Sequence, residues 1–281
     1  MARTVFVTGA SRGIGLAAAR RFHDDGWNVI ATMRSPDAVA DAAPDLATSP
    51  RMHVVRLDVT DESSIREAVA AGLDRFGEID VLVNNAAFGV YGPLEASPLD
   101  SARRLFETNV IGLLAVTKAM LPHFRRRRSG TLVNLSSIGG RTVFPLGALY
   151  HGSKFAIEGI SEALVFECEA IGVTVKIVEP GSVATGFTRS LEFCNDESID
   201  EYQPLVANLV RYSPRAADSI DAAAVADVVF EAATDGRDRL RYLVGDDAEE
   251  AWDVRRQADD AEYLAWVRRR FRLVDVLEAD R

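Results

Sequence analysis

The chain has 281 residues, 48% of them hydrophobic, with 42 acidic against 32 basic side chains and a net charge of −10. That length and apolar content supply the core of one large domain, and the acidic balance argues against a nucleic-acid partner or an anionic membrane surface. Two cysteines, Cys168 and Cys194, are too few for a disulfide framework and read as reduced thiols of a cytoplasmic protein, and the four histidines show no metal-ligand spacing. The apolar sequence begins within four residues of Met1, which predicts no targeting segment. No uninterrupted apolar run reaches the ~18–20 residues that a membrane span needs.

In chain order, short apolar runs alternate with helical patterns. Thr4–Thr8 reads as a buried strand, and Ile14, Ala18 and Phe22 mark one face of the helix after it. Asn28–Thr32 and His53–Leu57 read as strands. Thr60 or Asp61 is placed to cap a helix with Ile65, Val69 and Leu73 on one stripe. Ile79–Asn84 is the fourth strand. Ser97-Pro98, with Asp100 following, predicts a capped helix running to Leu121, stopped by Pro122. Thr131–Leu135, Val173–Val178 and Leu240–Val244 complete seven strands, and a helix through Tyr150 runs towards Ile171. Continuous apolar strands separated by helices predict an α/β fold: a single doubly wound domain over 1–281, with a seven-stranded parallel sheet flanked by helices. Residues 186–215 break the rhythm and carry Phe187, Phe193, Tyr202 and Tyr212, which predicts a substrate lid. Residues 246–281 form a charged helical extension with Trp252, Tyr263, Trp266 and Phe271.

Chemistry concentrates where strands end. Thr8-Gly-Ala-Ser-Arg-Gly-Ile-Gly15 joins a strand to a helix. Its Gly9, Gly13 and Gly15 permit a tight turn and close approach of a pyrophosphate, which the Ser11 to Ile14 backbone and the helix N-terminus would hold. The second strand ends at Arg34 with no acidic residue to accept ribose hydroxyls. Arg34 and Arg12 suit a 2′-phosphate instead, so NADP(H) is favoured over NAD(H). The third strand ends in Asp58-Val59, the fourth in Asn84-Asn85-Ala86-Ala87, the fifth in Ser136-Ser137 and the sixth in Pro180-Gly-Ser-Val183-Ala-Thr185. Asn109 is a mediocre helix former inside an otherwise amphipathic helix, which a local kink holding a water would explain. Tyr150 and Lys154 stand four apart on one helix face. An ammonium beside a phenol lowers its pKa and suits it to proton transfer near neutral pH. The run Arg125–Arg128 needs no nucleic acid, because it sits at a helix C-terminus.

In this order and spacing, these motifs make residues 3–245 resemble the short-chain dehydrogenase/reductase family. Ala2-Arg-Thr-Val, Val29 to Arg34 and Glu179 to Thr185 look similar to its 17β-hydroxysteroid and retinol dehydrogenase branch, and to bacterial ketoreductases. The resemblance implies an oxidoreductase that exchanges a hydride between NADP(H) and a carbonyl or secondary alcohol. By position it implies Tyr150 as proton donor and Ser137 as the group orienting the carbonyl oxygen. Lys154 would hold the ribose and Asn109 a relay water. Asp58 and Val59 would lie at the adenine, Asn85 and Ala86 beside the cofactor, and Pro180, Val183 and Thr185 at the carboxamide. It also implies a homodimer or homotetramer. The apolar loops 88–96, 138–148 and 186–215 predict an apolar small-molecule substrate. A cofactor-sensing binding protein on the same fold and a nucleotide-sugar epimerase or dehydratase are the alternatives. Ala87 stands where the family usually has glycine, and Gly152 where alanine is common.

Overall fold

The computed structural model of the chain describes residues 2–184, 191–212 and 219–273. The elements are β1 (Thr4–Thr8), α1 (Gly13–Asp24), β2 (Asn28–Met33), α2 (Asp37–Ala42), α3 (Pro44–Ala47), β3 (Met52–Arg56), α4 (Glu62–Phe76), β4 (Val81–Asn84), β5 (Gly89–Tyr91) and α5 (Leu99–Phe106). A π-helical turn (Glu107–Gly112) leads into α6 (Leu113–Arg127), then β6 (Gly130–Leu135), α7 (Ala148–Glu169), β7 (Val173–Pro180), β8 (Val183–Ala184) and β9 (Leu191–Phe193). The chain ends with α8 (Gln203–Tyr212), β10 (Ile220–Asp221), α9 (Ala222–Thr234), β11 (Arg241–Val244), α10 (Asp246–Gln257) and α11 (Asp260–Arg270).

Seven strands pair in the order β11-β7-β6-β4-β1-β2-β3, all parallel. The order reverses between β1 and β4, which opens a crevice at the carboxyl edge of the sheet. Each face of the sheet carries its own apolar layer. On one, Ala18 and Phe22 of α1 close over β1 and β2, and Val225 and Val229 of α9 over β6 and β7. On the other, Ile65 of α4 and Val116, Met120 and Phe124 of α6 cover Phe6, Leu82 and Leu132. Two short parallel ladders lie outside this sheet: β5 with β9, and β8 with β10.

Polar side chains also tie the central strands together. The Asn84 amide donates to Asn134 Oδ1 (2.9 Å) and to Thr117 Oγ1 (3.0 Å), and Asn134 Nδ2 donates to Ser161 Oγ (2.9 Å). The chain β4–β6–α7, with a branch to α6, is buried at every member.

Several boundaries differ from the sequence reading. Asp61, not Thr60, caps α4, accepting from the N–H groups of Ser63 and Ser64. Ser97 does not cap α5: its hydroxyl donates to the Pro93 carbonyl (2.8 Å), Pro98 stays extended (ψ 136°), and Asp100 pairs with Arg103. The helix runs through Pro122 to Arg127. Pro122 removes its own N–H from the ladder and its ring crowds the preceding turn, a cost that burial of Met120 and Phe124 on either side offsets. Arg127 then pairs with Glu78 and Asp80. By length and composition Leu99–Arg127 could cross a membrane (mean hydropathy 1.2), yet its apolar stripe packs on the sheet and α4. Asn134→Ala leaves Asn84 and Ser161 short of partners inside the core, and is expected to cost about 2–3 kcal/mol in urea unfolding.

Candidate active site

α1 rises straight out of the glycine turn. Gly9 takes φ +68°, and a Cβ on Gly15 would lie 2.3 Å from the Gly9 carbonyl oxygen, so the turn folds onto the helix it starts. Arg12 is the N-cap residue but its side chain makes no capping bond, and the first turn holds no acidic residue. The free N–H groups and positive dipole end of α1 therefore face a cavity lined by Gly9, Ser11, Arg12, Gly13 and Ile14. Asn85 does not reach towards a ligand. Its amide donates to the carbonyls of Thr8 (2.9 Å) and Gly9 (3.1 Å), fastening the glycine turn to the end of β4.

The same cavity, about 1280 Å³, continues past Arg34, Asp58 and Val59 to Ser137, Tyr150, Lys154, Pro180 and Val183. It exceeds the ~300–1,000 Å³ of a site for one small molecule, and a dinucleotide with a substrate beside it fits that extent. Burial works to raise the Asp58 carboxyl, but the Thr60 N–H and hydroxyl on its Oδ1, with Arg34 and Arg56 nearby, outweigh it and hold it below its ordinary value. Arg12 and Arg34 are both exposed.

At the far end, Tyr150 and Lys154 project from the first turns of α7. Ser137 is the hydrogen-bond partner of the Tyr150 phenol, and its Oγ also receives the Gly139 N–H (3.0 Å). Ser136 beside it is buried, and its hydroxyl has no hydrogen-bond partner among the described residues. The expected lowering of the phenol pKa is not what the geometry gives. Burial pushes Tyr150 up to about 12, with the Ser137 hydrogen bond pulling the other way. Lys154 Nζ lies 5.9 Å from the tyrosine ring centre and donates to the Leu135 carbonyl (2.9 Å). Its own burial draws it down to about 8, opposed by Glu158 one turn further on.

Asn109 sits at the centre of the π-helical turn, where a kink was expected. Its amide donates to the Phe88 carbonyl (2.9 Å) and Ser153 Oγ (3.2 Å), and its Oδ1 accepts from the Phe88 N–H (3.0 Å). The side chain thus joins the Phe88 segment to the tyrosine helix. Thr185 and Phe187 lie outside the described residues.

Residues 3–193 match the family described as short chain dehydrogenase. The chain belongs to the short-chain dehydrogenase family. It is an oxidoreductase of that family with the parallel seven-stranded fold its relatives share. An oxidoreductase of Schizosaccharomyces pombe is 44% identical to this dehydrogenase over 221 residues, 78% of this chain and 93% of that one. Retinol dehydrogenase 8 of Homo sapiens is 37% identical over 194 residues, 67% of this chain and 61% of that protein. A short-chain dehydrogenase of Burkholderia cenocepacia, solved in complex with NADP, superposes with a TM-score of 0.75 at 25% identity, covering 94% of this chain and 96% of that one.

Further residues enter the dehydrogenase's site: Tyr91 from the apolar loop 88–96 that the sequence marked, and His151 and Asp247, which it did not. Tyr91 packs on Tyr150, with ring centres 5.3 Å apart, and burial holds its phenol well above the ordinary value. His151 bonds at both ring nitrogens: Nδ1 to the Gly139 carbonyl (2.8 Å) and Nε2 to the Phe144 N–H (3.0 Å). That fixes the neutral tautomer, and burial lowers its pKa. Asp247 Oδ2 receives the Ser182 N–H (2.8 Å). An aspartate at the start of a helix after the last strand was the one hint of it.

The lysine carries a stability consequence. Its pKa is 10.5 ordinarily and about 8 in the fold. Between those values the unfolded chain binds a proton that the folded chain does not, so this group's contribution rises as pH climbs from about 8 to 10.5, by about 3 kcal/mol in all. Lys154→Met should therefore melt above the parent at pH 7, and the gap should shrink towards pH 10 in scanning calorimetry.

Proposed function

We propose that the protein is an NADP(H)-dependent oxidoreductase that moves a hydride between nicotinamide and a carbonyl or secondary alcohol of an apolar substrate. One observation carries the reading. A buried phenol, paired with Ser137 and one helical turn from Lys154, faces the same cavity as the uncapped N-terminus of α1.

A bound nicotinamide supplies or accepts the hydride at its ring carbon. Tyr150, raised to about 12, keeps its proton through the neutral range and gives it to the carbonyl oxygen as the new C–H bond forms. In the alcohol direction Tyr150 can take the hydroxyl proton only as the phenolate, after its own proton has left, so burial favours the reduction direction at neutral pH. Ser137 hydrogen-bonds that oxygen and fixes its direction. Lys154 spends one N–H on the Leu135 carbonyl and has two left for ribose hydroxyls. Because the Asn109 side chain is engaged by Phe88 and Ser153, a relay water would rest on the backbone of the π-helical turn. Asp58 has one carboxylate oxygen beyond the Thr60 turn to offer an adenine amino group. Val59 lies beside it, and Pro180 and Val183 with Thr185 suit the carboxamide. Phe88, Tyr91, Phe144 and Leu191 make the substrate half of the cavity apolar.

In an NADPH-oxidation assay over steroid and aliphatic ketones, turnover is expected with some, and Tyr150→Phe should lower kcat at least ~100-fold. A rate retained by the phenylalanine variant would refute the assigned proton donor. Tight NADPH binding with no turnover would move the reading to a cofactor sensor.

The preference for NADP(H) rests on Arg34 at the end of β2 and Arg12 at the N-cap of α1, both exposed and both on the cavity. The NADP bound by the Burkholderia relative supports it. Replacing both arginines by alanine should weaken NADPH about 100-fold by calorimetric titration and leave NADH within about twofold. Equal losses for the two cofactors would count against a phosphate site.

A further inference from the structure

The C-terminal helices lie outside the segment that matches the family, which ends at residue 193. They nevertheless touch three parts of the site. Asp247 of α10 holds the Ser182 N–H in the loop after β7. Trp252 of α10 lies under Arg141, whose guanidinium is 3.2 Å from the ring centre and pairs with buried Glu179. Tyr263 of α11 clasps Val143 at both backbone groups, its Oη accepting from the N–H (2.6 Å) and donating to the carbonyl (3.0 Å). The loop after Ser137 is thus held from one side by His151 and from the other by the tail.

Just beyond α11, Phe271 is 3% exposed and packs 5.6 Å from the Phe144 ring. Phe144 lies 5.7 Å from His151, and His151 5.8 Å from Tyr150. Three ring contacts therefore connect the phenol to the tail. Phe271, Leu209 and Phe144 line the cavity together and belong to one apolar cluster with Tyr263 and Val267. The neighbouring Arg270 also lines the cavity, but its charge is engaged by Glu250 (2.8 Å) and it lies over Trp266, so the apolar surface of this wall comes from Phe271, Leu209 and Phe144.

We infer that the C-terminal segment is part of the substrate site, and that Phe271, with Phe144 and Leu209, forms the wall against which the substrate's apolar end stops and so sets the length accepted. The inference rests on the carbonyl-reductase reading above.

The test is a series of methyl ketones of rising chain length, assayed with NADPH for the parent, Phe271→Ala, Phe271→Leu and Phe271→Trp. The smaller side chains should raise kcat/KM for long ketones relative to short ones about tenfold, and tryptophan should lower it by a similar factor. KM for NADPH should not move. The leucine and tryptophan variants keep a bulky apolar group in the cluster, so the comparison survives if alanine loosens the fold. Length profiles that superpose in all folded variants overturn the inference while leaving the reductase reading intact. If no ketone is turned over, the reductase reading falls. The length dependence of the ketone-induced melting shift, parent against Phe271→Trp in excess NADPH, then decides the wall. A moved optimum upholds it and an unmoved one overturns it.

Discussion

The Thr8 hydroxyl accepts the N–H groups of both Asn85 and Ala86, and the Asn85 amide donates to the carbonyls of Thr8 and Gly9. These bonds weld the end of β1 to the end of β4, the two strands at which the sheet reverses its order. The glycine turn and the end of β4 take their position from that weld. It orients the glycine turn, which sets where α1 begins and where its unpaired N–H groups point. It also anchors β4, whose Asn84 reaches through Asn134 to Ser161 on the helix that carries Tyr150 and Lys154. The glycine-turn end and the Tyr150–Lys154 end of the cavity are thus connected through hydrogen bonds.

Burial decides the electrostatics at that second end. The phenol and the ammonium are both withdrawn from water, and each moves towards its neutral form. A phenol held so high keeps its proton throughout the neutral range. The lysine keeps its place through a backbone carbonyl rather than a carboxylate partner. Behind it, Arg241 bridges Glu158 and Glu179, so the acidic charge nearest the lysine is itself partly neutralised.

Much of this arrangement was legible in the sequence, because its carriers are local. Seven apolar runs set the strands within a few residues, and the glycine spacing, Ser137 and the Tyr150–Lys154 pair are short-range patterns tied to strand ends and one helix face. What the sequence did not reveal depends on contacts across long separations or on degree of burial. Phe271 meets Phe144, and Tyr263 meets Val143, 120 residues away. The direction of the tyrosine's pKa follows from how little water reaches it, which spacing does not encode. Pro122 read as a stop, but packing on both sides carried the helix across it. Asn109 signalled an irregularity, though not that its amide would be spent on Phe88.

The π-helical turn Glu107–Gly112 divides one long helix into two with different tasks. Before it, Leu105 belongs to the small cluster with Val90 and Cys194; after it, Val116, Met120 and Phe124 belong to the sheet-covering layer. A turn of this kind holds about one residue more than an α-helical turn. It therefore acts as a phase shifter, letting two stripes that a regular helix would set out of step each meet its own surface. Excising a single residue there would rotate one half by about 100° against the other, and the chain would have to give up either the Leu105 cluster or the sheet-covering layer.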